Sequence, residues 1–166
     1  LFAQVCQCDV MLVGSGSIRS KELGPIVTLG DLKACFPYDD SLNRFKITGK
    51  QLKKIFSHIM RKENRNSEGE CYQINSSVKA VYDENAGKLE SLKINGEEVK
   101  SDSFYSICLQ GYHLSNCEHN LDITEEELMK SGQSKVVSTS ATEVLEECMR
   151  NNQNVSREVE GRLVYK

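Results

Sequence analysis

The chain has no tryptophan, only two prolines and only three histidines in 166 residues. Two isolated prolines exclude a proline-rich spacer, and neither an internal repeat nor a low-complexity tract replaces it. Three histidines are too few for the set of His, Asp and Asn ligands that a two-metal hydrolytic centre needs. No apolar run approaches the roughly 20 residues that span a bilayer, so no membrane-spanning helix is expected. Basic charge is not in excess either. A net charge of −3 gives no overall attraction to nucleic acid or to an acidic membrane surface. The opening Leu-Phe-Ala-Gln-Val-Cys-Gln-Cys lacks the basic region and cleavage pattern of a signal peptide. It also lacks an initiator methionine, and the expectation is a piece of something longer.

Cysteine is plentiful but unpatterned. Seven are present, and the only close pair, Cys6-Gln-Cys8, has one intervening residue where zinc sites use two to four. An odd count without paired spacing argues against a disulfide framework. Reduced, mostly buried thiols are expected. Asn75-Ser-Ser and Asn154-Val-Ser would accept glycans in an exporting host, so the cysteines and the sequons pull localisation in opposite directions.

At 39% hydrophobic residues the chain can bury one ordinary core, and a single domain over residues 1–166 is expected. Residues 1–8 read as a helix end and Val10–Val13 as a buried strand. Thr28–Cys35 reads as a short helix, with Asp31 completing a capping box and Pro37 stopping it. Leu42–Ile47 reads as a strand. The clearest helix follows, capped by Thr48 with Gln51 three residues on. Its apolar Leu52, Ile55, Phe56, Ile59 and Met60 fall at helical spacing. Lys50, Lys53, Lys54, Arg61 and Lys62 form its wet face, read as solvated rather than anion-binding. Residues 63–69 read as a polar loop. Cys71–Ile74, Val78–Tyr82, Leu89–Ile94 and Phe104–Gln110 read as strands, with a hairpin turn at Asp83–Gly87 and a second turn signal at Asn95-Gly96. Thr124–Lys130 and a segment begun by Ser140 and Glu143 read as helices, and Arg162–Tyr165 as a final strand. Helices and strands mix without a βαβ rhythm, which favours α+β.

The segment with most chemical content is Gly14-Ser-Gly-Ser-Ile-Arg19. A turn with two glycines lets the backbone approach a ligand closely. The arginine beside it presents a rigid fork of N–H donors suited to a carboxylate or phosphate. Gly14-x-Gly16 is not a dinucleotide fingerprint, because Arg19 stands where the third glycine belongs. No G-x-S-x-G elbow occurs. His58 reads as a packing or rim residue of its helix. His113, Cys117, Glu118 and His119 fall in one segment, read as loop residues near a ligand mouth, their spacing being unorthodox for a metal.

Six landmarks stand in order: Gly14–Arg19 after a strand, Pro37-Tyr38 after a short helix, Ile47-Thr-Gly-Lys at a helix start, Val78–Asp83, Gln110-Gly-Tyr112-His-Leu and Glu160-Gly-Arg-Leu. This order resembles the C-terminal domain of the 5′-nucleotidase family, which includes ecto-5′-nucleotidases and periplasmic UDP-sugar hydrolases. The resemblance implies an α+β fold in which a mixed sheet packs with helices. It implies a nucleotide- or nucleoside-recognition domain for a metal-dependent hydrolase. The two catalytic divalent metals would belong to an N-terminal metallophosphoesterase domain of the same chain, whose motifs are absent here, and no cofactor is expected in this segment. By the same resemblance Tyr38 and Tyr112 stack the base, Arg19 holds the anionic part, Gly14 and Gly16 form the turn, and Glu118 falls where the family has an aspartate. Gly14 stands where the family has asparagine, Ser15 and Ser17 where it has glycine, Gly111 where it has another asparagine, and Asn116-Cys117 where it has a pair of glycines. Those departures motivate the alternatives, a non-catalytic binding module or a structural domain. Neither nucleic acid nor membrane is expected as a partner.

Overall fold

The computed structural model describes residues 2–65, 70–156 and 158–166. Its architecture is two mixed sheets packed with helices, as the sequence led us to expect. Strand β1 (Val10–Gly14) pairs in parallel with β7 (Phe104–Gln110) and antiparallel with β3 (Tyr72–Ile74). On its other side β7 pairs antiparallel with β2 (Leu42–Thr48), and β2 with β8 (Lys135–Ser138). The first sheet therefore runs β3-β1-β7-β2-β8. The second runs β6-β5-β4-β9, from Glu97–Glu98, Lys88–Ile94, Val78–Asp83 and Leu163–Tyr165.

Period-2 alternation divides the first sheet's two faces. Val10, Leu12, Ile107 and Leu109 turn into a core shared with the second sheet and with α3 (Gly49–Ile59). Met11, Leu42 and Cys108 turn the other way, where α1 (Phe2–Cys6) and α8 (Ala141–Asn151) cover them. The expected stripe of α3 is its buried face, with Leu52, Ile55 and Phe56 wholly inside. Thr48 and Gln51 form the expected capping box, as do Thr28 and Asp31 at α2 (Leu29–Cys35). Asn95 and Gly96 both have positive φ, as a two-residue hairpin turn demands.

Two expectations need correction, and one strand was not foreseen. Residues 63–65 belong to a one-turn helix, α4 (Lys62–Arg65), and the rest of that expected loop, 66–69, lies outside the described residues. The segment from His113 to His119, expected as a loop, falls in two short helices, α5 (Gly111–Ser115) and α6 (Cys117–Leu121). Each is too short to show a helical period, and tertiary burial of His113, Cys117 and Leu121 holds them. Strand β8 leaves no clear pattern in the sequence, because it is a four-residue edge strand with half-exposed side chains. Helix α7 (Glu125–Met129) completes the elements, and its Thr124 cap is paired with Glu127.

Because β1 and β7 are parallel, their carboxyl ends lie at one edge of the sheet. The glycine turn leaves β1 there, and α5 leaves β7 there. The start of β2 joins them, since Leu42 pairs with Gln110.

Candidate functional site

A cleft of about 720 Å³ opens at that edge. Gly14 lies beneath its floor. The Gly14 N–H donates to His113 Nε2 at 3.2 Å, and a Cβ built on Gly14 would stand only 2.4 Å from that nitrogen. Glycine is therefore required here by contact. A 3-10 turn, Ser15–Ser17, follows and is held from outside. Ser15 N–H donates to the Cys71 carbonyl at 2.7 Å, and Gly16 N–H to Glu70 Oε1 at 3.0 Å. The Arg19 N–H then donates to the Cys35 carbonyl at 2.7 Å, which ties the turn to the end of α2.

That tie brings Arg19 to Tyr38. The guanidinium donates to the Tyr38 hydroxyl, and its carbon lies 5.2 Å from the ring centroid. Both side chains are exposed, Tyr38 at 44%. Tyr112, at the start of α5, is more exposed still, at 56%. Exposed tyrosines lining one cleft are apolar surfaces free to receive a planar ligand. The Tyr112 backbone is fixed, with its N–H donating to Asp40 Oδ2 at 3.2 Å and Gly111 N–H to the Ser41 carbonyl at 2.9 Å.

The cleft thus brings together Arg19, Tyr38, Tyr112 and Gly16 of the residues singled out from sequence. Gly14 lies beneath the lining, against His113. Glu118 is exposed on α6 and is not part of the lining.

Three residues that sequence reasoning passed over, Asp39, Asp40 and Glu70, shape the same place together with His113, which was read as a residue near a ligand mouth. Asp39 Oδ1 accepts from Ser140 Oγ at 2.6 Å and from Thr142 N–H at 3.2 Å, anchoring the cleft wall to α8. The Ser140 hydroxyl chiefly holds the Asp39 carboxyl below its usual range. Asp40 and Glu70 orient Tyr112 and Gly16 as described. His113 is 1% exposed. Its Nε2 accepts from Gly14, so in the neutral ring the proton sits on Nδ1, 3.0 Å from the Tyr72 hydroxyl. The ring meets Tyr112 edge-on, with centroids 5.2 Å apart at 81°. Burial pushes the His113 pKa down, against the partial pull of Glu70 and Asp40. The sequence placed it near a ligand mouth, but not its burial against Gly14.

Among the described residues no group of three or more His, Cys, Asp or Glu is placed to hold a metal ion. His113 is spent on Gly14 and Tyr72, while His119 Nδ1 lies 3.0 Å from Asn120 Oδ1 on the surface. No helix of the described residues is long and apolar enough to cross a membrane.

Residues 2–125 match the family model described as "5′-nucleotidase, C-terminal domain". No curated protein matches the sequence. Among solved structures, a 5′-nucleotidase precursor from Thermus thermophilus aligns with 99% of this chain at a TM-score of 0.77 and 17% identity. NAD nucleotidase from Haemophilus influenzae aligns with 98% at 0.78 and 14% identity. A putative 5′-nucleotidase from Staphylococcus aureus aligns with 98% at 0.69 and 13% identity. The chain spans 32%, 31% and 34% of those three structures, about a third of each. At these identities the likeness is one of fold.

Proposed function

Because the chain belongs to the 5′-nucleotidase C-terminal domain family, we propose that it is the nucleotide- or nucleoside-recognition domain of a metal-dependent 5′-nucleotidase-like hydrolase. The observation that carries this reading is the joining of Arg19, Tyr38 and Tyr112 in one cleft. The tyrosine rings offer stacking surface for a base, worth about 1–3 kcal/mol per stacked base. Arg19 has its guanidinium at the cleft surface, where it can turn from the Tyr38 hydroxyl to a ligand oxygen. Asp39, Asp40 and Glu70 are each held by hydroxyl or backbone donors of the protein, so they shape the wall. The chain supplies binding and orientation. Hydrolysis, with its two divalent metals, would fall to a metallophosphoesterase domain paired with it in the same chain, since no group among the described residues is placed to hold a metal.

A second reading is favoured by one observation. Gly14 occupies the turn position where the family has asparagine, and His113 fills the space a side chain would need there. A non-catalytic module with a changed ligand accounts for that exchange.

Titration of the chain with adenosine, uridine and AMP, followed by tyrosine fluorescence, tests both. Six tyrosines and no tryptophan make stacking visible. Saturable quenching that is lost in Tyr38→Ala and Tyr112→Ala supports the recognition domain. AMP binding more tightly than adenosine, with the difference lost in Arg19→Ala, supports the anion role. No response to any of the three at millimolar concentration favours the changed-ligand module.

A further inference from the structure

The face of the first sheet that α1 and α8 cover stays open beyond them. Arg44 and Lys46 alternate along β2 with the buried Phe45, and Ser106 and Phe104 continue the Cys108 side of β7. The register sets Lys46 opposite Ser106 and Lys135 of β8 opposite Arg44, so these side chains share one face. They line a second cavity of about 400 Å³, together with Gln7 of the α1–β1 turn and Gln133 before β8. It lies at the far end of the strands from the cleft. Phe104 pairs with Thr48 there, whereas Gln110 and Leu42 pair at the cleft, about 20 Å along β7.

Three cations meet in this cavity without a counter-charge. Among the described residues no ion pair involves Arg44, Lys46 or Lys135. Asp9 stands beside Ser106, but its Oδ2 accepts from the Ser106 N–H and hydroxyl, both at 2.7 Å. Arg44 is held in place by Nη1, which donates to the Cys6 and Gln7 carbonyls at 3.0 and 3.1 Å. Lys46 Nζ lies 4.4 Å from the centroid of the Phe104 ring, which is 54% exposed. Like charges directly opposite each other on neighbouring strands destabilise a sheet. Arg44 opposite Lys135 is such a pair, in a chain whose 24 acidic residues outnumber its 21 basic ones. An anion seated between them would turn that repulsion into charge-assisted hydrogen bonds.

We propose that this cavity is a second binding site, for a small polyanion of the phosphate class, with a diphosphate as its simplest member. Arg44 supplies a guanidinium already fixed by the backbone, whose planar fork matches phosphate oxygens. Lys46 and Lys135, both exposed, supply flexible point charges that close on the remaining oxygens. Three cations suit a ligand with several charges better than one with a single charge. The volume is at the low end of the range for small-molecule sites, which favours a compact anion over an acidic peptide. The site shares no lining residue with the cleft, so it does not rest on the nucleotide reading of that cleft.

The test is isothermal titration calorimetry of the whole chain with sodium pyrophosphate, free of divalent metal, at low and at physiological ionic strength. Saturable one-to-one binding that weakens with added salt is expected. Lys46→Gln and Lys135→Gln should each weaken it at least about tenfold. Arg19→Ala, in the cleft, should leave it unchanged within about twofold. Orthophosphate should bind more weakly than pyrophosphate. Lys135→Gln should melt no lower than the unaltered chain, because it removes a repulsion, so its loss of binding is not a loss of fold. Four results overturn the proposal: no saturable heat at millimolar pyrophosphate, an affinity that survives both lysine variants, an affinity lost in Arg19→Ala, which would put the anion in the cleft, or orthophosphate binding as tightly as pyrophosphate. A glutamate-rich peptide that binds where pyrophosphate does not would also overturn it, and would make this face a protein-docking surface.

Discussion

At the residue scale the site turns on the contact between Gly14 and His113. Each explains the other, because the imidazole fills the volume that any side chain at position 14 would need. Gly14→Ala would force a buried ring to move and would break its hydrogen bond to the turn. A loss of about 1–3 kcal/mol is expected, the usual cost of overpacking, read as a lower urea midpoint at unchanged slope. Gly16→Ala is the informative contrast. Its Cβ would meet only the end of the Glu70 side chain at 3.4 Å, so stability should change by less than about 0.5 kcal/mol. Gly14 is legible from sequence as a turn residue, but its partner is not. His113 lies 99 residues away, and no local pattern marks a histidine that a strand pairing will bury.

At the element scale, most of the fold is legible where a helix carries its own punctuation. Helices α2, α3 and α7 each begin with a threonine and a side chain three residues on that closes a capping box. Helices α5 and α6 begin without a side-chain cap bond, and nothing in their sequence separates them from loop. Their stability comes from what they pack on, which sequence spacing over five residues cannot express. The same reasoning gives a prediction for α3, whose 11 residues carry much of the main core. Thr48→Ala removes the acceptor for Gln51 N–H and leaves that donor without its cap, at a cost of about 1 kcal/mol. Gly49→Ala, one residue on, should cost more, since its Cβ would lie 2.1 Å from the Lys100 carbonyl oxygen, a backbone atom with little room to yield. Thermal unfolding of the two variants side by side checks the order.

For the molecule as a whole, the ionisable groups combine into one pH profile, and its sign can be worked out. Burial lowers the pKa of His113 and of His58 from the ordinary 6.5, with Arg61 adding to the shift at His58. A histidine depressed in the folded state takes its proton first in the unfolded chain. Its contribution is complete above 6.5 and is lost as pH falls toward the folded value. Asp39 and Glu98 are depressed from 3.8 and 4.5 by hydrogen bonds from Ser140 and Ser91, so acidification removes a second share of stability below that range. Cys71, Cys117 and Cys148 are raised from 9.0 by burial, and their contribution is present below 9 and lost above it. Stability should therefore plateau between about pH 7 and 8.5, fall in two stages toward acid, and decline again in alkali. Melting temperature measured across that range checks the profile. In His113→Gln the first acid stage should shrink, because glutamine can still accept from Gly14 but cannot take a proton. Loss of that stage in His58→Gln alone would assign it to the helix rim, and the floor of the cleft would then play no part in the acid response.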